Sequence, residues 1–105
     1  MENVFVEEQG LSQEEKEKIL NGVLASREPL RLKVLSSKRK KLIVTLEEVA
    51  KLFEDGRKYA ESEVNGILTK VWEDYAVLRR SLIDFGFLIR TPDGREYKKM
   101  CDKEL

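Results

Sequence analysis

Four consecutive cations, Lys38-Arg39-Lys40-Lys41, directly follow the serine pair Ser36-Ser37. Clustered ammonium and guanidinium groups beside hydroxyls can hold an anion, and phosphate suits such a set. If a helix starts here, the cations oppose the partial positive charge of its end and also repel one another. That cost invites an anionic partner, which the free N–H groups of the first turn would help to hold. The competing reading is a solvated charge run, partly neutralised by Glu14, Glu15 and Glu17.

Further cations stand near the C-terminus. Arg80 lies in a helical segment, Asp74 to Phe85, where 100° spacing places it opposite the apolar stripe with Glu73, Ala76, Val77 and Asp84. It can contact a base, or it can pair with Asp84 four residues on. Arg90, Arg95, Lys98 and Lys99 flank a turn, placed either to touch sugar and phosphate or to discourage strand pairing. Arg79 falls at the edge of the stripe, within reach of Glu61 or Glu63, which favours a structural pair. Asn65 is expected to bond a neighbouring backbone group. Two acids without histidine make a poor metal site and a poor acid/base pair. The chain has no histidine at all, and it carries no glycine-rich phosphate loop or nucleophile motif. An enzyme is therefore the least expected class, and no cofactor or metal is implied.

The 105 residues suit one domain, 1–105, with a single modest core. At 41% apolar and 38% charged, the composition is that of a globular chain. No apolar run approaches the roughly 20 residues that span a bilayer, and the acidic start MENVFVEEQG is unlike a secretory signal. The cytoplasm is the expected location. Cys101, the lone cysteine, reads as incidental. The net charge is zero, but residues 1–28 carry three basic and seven acidic side chains, whereas residues 29–58 carry nine and four. A basic middle between acidic flanks suits a local anion site and gives no long-range pull on a polyanion.

The elements that must position these groups follow from pattern. Ser12-Gln13-Glu14-Glu15 is a capping box, and Ile19, Leu20, Val23 and Leu24 form an apolar stripe, which predicts a helix over 12–27 ending before Pro29. Leu30 to Leu35 alternates as a short strand, a candidate third strand beside the hairpin. Ser36 and Ser37 are candidate caps for a helix from Lys38 to Glu54, although Thr45-Leu46-Glu47-Glu48 is a second capping box and would leave Leu42-Ile43-Val44 extended. A helix from Ala60 to Trp72 buries Val64, Ile67, Leu68 and Val71. The next, capped by Asp74, buries Tyr75, Leu78, Leu82 and Phe85 and stops at Gly86. Thr91-Pro92-Asp93-Gly94 then turns a hairpin.

Tyr59-Ala60-Glu61-Ser62-Glu63-Val64-Asn65, followed by Asp74 to Asp84 with paired arginines and by Gly86, Leu88 and Arg90, resembles the bacterial family labelled domain of unknown function 2087 over Lys38 to Tyr97. Ala60 departs from the pattern, where the family has a capping threonine. The resemblance implies a small helical domain of winged-helix character, found alone or at the C-terminus of bacterial transcriptional regulators that carry a separate DNA-binding domain. It brings no catalytic role.

Residues and resemblance together give an α+β, mostly helical, winged-helix-like fold: an added N-terminal helix, then three helices and a C-terminal β-hairpin wing over 38–99. The expected function is weak nucleic-acid binding of transcriptional-regulator type through Lys38, Arg39, Lys40, Lys41, Arg80, Arg90, Arg95, Lys98 and Lys99. The alternative is an interaction module that does not bind DNA. In that reading the N-terminal helix joins a second copy or a regulator partner.

Overall fold

The computed structural model describes residues 12–100, so the acidic N-terminal run and Cys101 lie outside the described residues. Helix α1, Gln13–Val23, begins at the expected capping box. Ser12 Oγ accepts from the Glu15 N–H, and Glu15 Oε1 accepts from the Ser12 N–H, both at 3.2 Å. The helix does not run on to Arg27. Leu24 turns extended, and Leu24–Arg27 becomes strand β1, antiparallel to β2, Leu30–Leu32. Helix-compatible residues are overridden here because a partner strand is available and the extended course buries Leu24.

Strand β2 is shorter than the expected Leu30–Leu35, and it does not join the C-terminal hairpin. Its Leu32 N–H donates to Val71 O at 2.9 Å, and Arg31 donates to Lys70 O at 3.0 Å. The small β1–β2 sheet is thus anchored on the turn that follows the third helix.

Helix α2, Arg39–Ala50, is continuous through Thr45, whose hydroxyl donates to Lys41 O at 2.7 Å. The second capping box therefore starts nothing. Turns lead from α2 to Gly56, whose φ of 77° takes the left-handed conformation that glycine adopts without strain. Strand β3, Lys58–Ala60, follows, and α3, Glu61–Thr69, succeeds it at once. Helix α4, Tyr75–Asp84, is capped by Asp74, which accepts from the Val77 N–H at 3.3 Å. Gly86, at φ 81°, ends it. Strands β4, Leu88–Arg90, and β5, Glu96–Lys99, form the predicted hairpin.

The hairpin's third strand is β3, in the order β3-β5-β4, with Tyr59 opposite Tyr97. Three residues between Gly56 and a helix are too few to show a period, although their exposed, buried, exposed pattern is that of a strand. The described residues thus form an α+β fold of four helices and two small antiparallel sheets. One core joins them all. It includes Leu20 and Val23 of α1, Leu46 and Val49 of α2, Val64 and Leu68 of α3, Leu78 and Leu82 of α4, and Leu88 and Tyr97 of the sheet.

The apolar stripe of α1 packs within its own domain through Leu20 and Val23, and Lys16 pairs with Glu47 of α2 at 3.4 Å. One expectation about helix faces changes. Tyr75, expected in the core, is 37% exposed. It sits in the first turn of α4, ahead of the part of the stripe that reaches the core, which is Leu78 and Leu82 at 0% exposure with Phe85 half-buried.

The hairpin turn is held by Asp93, whose carboxylate accepts from the Thr91 hydroxyl at 2.6 Å and from the Arg95 N–H at 3.0 Å. These bonds hold its carboxyl below the usual range. A depressed carboxyl contributes stability that is complete above its unfolded value of about 3.9 and is lost as pH falls through the folded value. Urea denaturation near pH 6 and again below pH 3.9 should therefore show a smaller acid-induced loss for Asp93→Asn than for the wild type. Equal losses would show that the turn carboxylate does not sense acid.

Candidate nucleic-acid interface

The basic run enters α2 from an extended approach. Lys38 occupies the N-cap position without a side-chain cap, and its N–H donates to Ser36 Oγ at 3.1 Å. The serines thus shape the turn before the helix instead of capping it, contrary to the sequence expectation. No acidic residue stands in the first turn of α2. Its leading N–H groups therefore face the cluster without a side-chain acceptor, the situation in which an anion is best received.

The first turn of α2 meets α1 across an open groove of about 730 Å³. Lys18, Lys38, Lys40 and Lys41 line it beside Ser36 and Ser37, over Ile19, Val34 and Leu35. Glu15 is its one acid and is engaged in capping α1. Of the other α1 acids expected to neutralise the lysines, Glu17 pairs with Arg27 at 3.2 Å. Among the described residues, Lys18, Lys38, Lys40 and Lys41 form no ion pair within 4 Å. Lys18 escaped the sequence reading because it sits in an acidic helix and joins the cluster only through folding. Arg39 leaves the groove, and its guanidinium lies 5.5 Å from the centre of the Phe85 ring. That contact sets the start of α2 against the end of α4.

The remaining predicted cations are dispersed. Arg80, with its side chain 84% exposed, lies 3.8 Å from Asp84. Arg95 pairs with Asp93 at 3.9 Å. Arg90 lies along the hairpin turn, its guanidinium beside Gly94. Lys98 and Arg90 line a depression of about 260 Å³ on the sheet with Lys58 and Glu96. Lys99 is half-buried and holds Asp55 at 3.2 Å, tying the turn after α2 to the sheet.

Tyr59, Glu61, Glu63 and Asn65 are engaged in internal contacts. Tyr59 packs edge-on against Phe53, with ring centres 5.1 Å apart, and its hydroxyl accepts from the Glu54 N–H at 2.8 Å. Arg57 lies over the same ring at 4.5 Å. It pairs with Glu54 and Glu63, and the Glu54 bond foremost raises its pKa. Glu63 also accepts from the Ala60 N–H at 2.8 Å, the half of a capping box that alanine can still support. Glu61 accepts from the Tyr97 hydroxyl at 3.4 Å and faces Arg79 at 3.9 Å. Asn65, expected to bond backbone, instead accepts from the guanidinium of Arg79. Arg79 thereby ties α4 to α3, while Glu61 adds the sheet.

An α+β module with a cationic groove and a structurally committed polar motif is the class that the geometry defines. The chain belongs to DUF2087, a family described as an uncharacterized protein conserved in bacteria, whose model matches residues 31–99. No curated protein and no solved structure matches it. Among the described residues, no helix is long and apolar enough to cross a membrane.

The two neighbouring arginines should behave differently. Arg79→Ala is expected to cost about 1–3 kcal/mol, the range for a charged hydrogen bond removed from a partly buried acceptor. Arg80→Ala should stay within about 0.5 kcal/mol, as for an exposed pair. Equilibrium denaturation of both variants checks the contrast, which equal costs would refute.

Proposed function

We propose that this chain is a non-enzymatic, cytoplasmic bacterial protein of transcriptional-regulator type that binds nucleic acid weakly through backbone phosphates. Its architecture supports a winged-helix-like reading: helix α2, strand β3, helices α3 and α4, and a hairpin whose strands pair in the order β3-β5-β4. In that reading α4 occupies the place of the recognition helix and β4–β5 forms the wing.

One observation carries the choice of surface. Lys38, Lys40, Lys41 and Lys18 converge on the uncapped start of α2 with no ion-pair partner among the described residues, while Arg80 and Arg95 each lie against an acid of their own element. Phosphates fit such a groove, since both the ammonium groups and the first-turn N–H groups can face them. Sequence is not read there. The wing and Arg80 add secondary contacts, and Glu73, just before α4, and Asp84 on it oppose close approach of a duplex.

Fluorescence anisotropy with a labelled duplex tests this reading between low and physiological salt. The wild type is expected to bind at low salt with a steep salt dependence. Replacing Lys38, Lys40 and Lys41 together by alanine should weaken binding at least about tenfold and lower the salt slope by roughly two to three. Arg80→Ala should change it little. No binding at low salt, or equal binding by the triple variant, would contradict the proposal.

A further inference from the structure

The lysine groove presents two chemistries. Lys18, Lys38, Lys40 and Lys41 line its rim without an ion-pair partner within 4 Å among the described residues. Its floor is apolar: Val34 is 44% exposed, with Ile19 and Leu35 half-buried beside it. The N–H groups of Lys33 and Val34 both donate to Val23 O, at 2.7 and 3.3 Å, which fixes this floor against the end of α1. A phosphate backbone answers the rim but leaves the floor against charged oxygens. A fitting occupant carries acids and apolar side chains together.

Residues 1–11 of the same chain, which lie outside the described residues, have that composition. The run MENVFVEEQGL holds three acids, Glu2, Glu7 and Glu8, with no lysine or arginine, and the acids bracket Val4-Phe5-Val6. We propose that this N-terminal segment occupies the groove of its own chain, its apolar residues over Val34 and its acids toward the lysines, and so competes with phosphates for the same surface. The reach allows it. The segment joins the fold at Ser12, the cap of α1, and α1 forms one wall of the groove. Phe5 stands seven residues before Ser12, which an extended chain spans with roughly 23–25 Å. The wall from Ser12 to Val23 is shorter, about 16 Å by helical rise. Tethering supplies the segment at an effective concentration on the order of mM, ahead of any free acidic peptide. The docking stands apart from nucleic-acid binding, and only the competition rests on that reading.

Nuclear magnetic resonance of the full chain tests the docking. A nitroxide on Asn3→Cys, with Cys101→Ser removing the other thiol, is expected to broaden the amide signals of Val34, Leu35 and Lys38. Adding Phe5→Ser, which leaves every charge in place, should restore them while the signals of α3 and the three-stranded sheet stay where they are. Broadening that survives Phe5→Ser, no broadening at all, or shifts in α3 and the sheet would overturn the proposal. So would broadening of an unlabelled copy mixed with a nitroxide-bearing one, since the occupant is then a second chain's segment. Anisotropy with a labelled duplex reads the competition: Phe5→Ser without the nitroxide should tighten binding at low salt about fivefold or more. Equal affinity would overturn the competition. No binding by either protein would contradict the nucleic-acid reading alone, which the resonance result separates from the docking.

Discussion

Burial of the inner stripe of α4 is the constraint on which the remaining structure depends. Leu78 and Leu82 are wholly enclosed in the core that also holds Val64 and Leu68 of α3, Leu46 and Val49 of α2, and Leu88 at the start of the hairpin. Once these two leucines face inward, the helical period leaves Ala76, Val77, Arg80 and Asp84 on the outside. The chain then turns at Gly86 into the sheet, where Phe87 and Leu88 continue the same core. The positions of Arg79 and Arg80 on α4 follow from that packing.

Around the apolar centre, polar side chains fix the angles. Arg79 ties α4 to Asn65 and Glu61 of α3, and Glu61 takes the Tyr97 hydroxyl of the sheet. Glu63 and Arg57 fasten the β3–α3 corner, with Tyr59 beneath them. The residues that most resemble the family pattern are therefore those that hold helices and sheet together. Their types suggested a polar site, but their partners lie within the chain. The α2 lysines Lys38, Lys40 and Lys41 differ because, among the described residues, none of them forms an ion pair. A charged group left outside the structural network is the better pointer to an external ligand, since the fold gains nothing from holding it there.

How much of this was legible in the sequence depended on the range of the interactions. The capping box at Ser12, the Asp74 cap, Gly86 and the Thr91-Pro92-Asp93-Gly94 turn are local signals, and each is realised. Strand pairing was not local. Leu24 to Arg27 could be read as helix until its partner Leu30–Leu32 was known, and β3 was hidden because three residues have no measurable period. The same limit applied to the groove. The basic run was visible, but Lys18 joins it only because α1 folds back on α2 through Leu20, Val23 and the Lys16–Glu47 pair. The Arg39 contact with Phe85 joins residues far apart in the chain, and neither residue announces it.

If the α4 stripe governs the whole arrangement, truncating it should loosen distant elements together. Hydrogen exchange and equilibrium denaturation of Leu82→Ala provide the most direct measurement. A stability loss of about 2–5 kcal/mol is expected for a fully enclosed leucine. Protection should fall by the same factor in α2, α3, α4 and the three-stranded sheet. Loss of protection confined to α4, with the hairpin and α2 unchanged, would contradict the account, because the helix would then be an attachment and not the keystone of the packing.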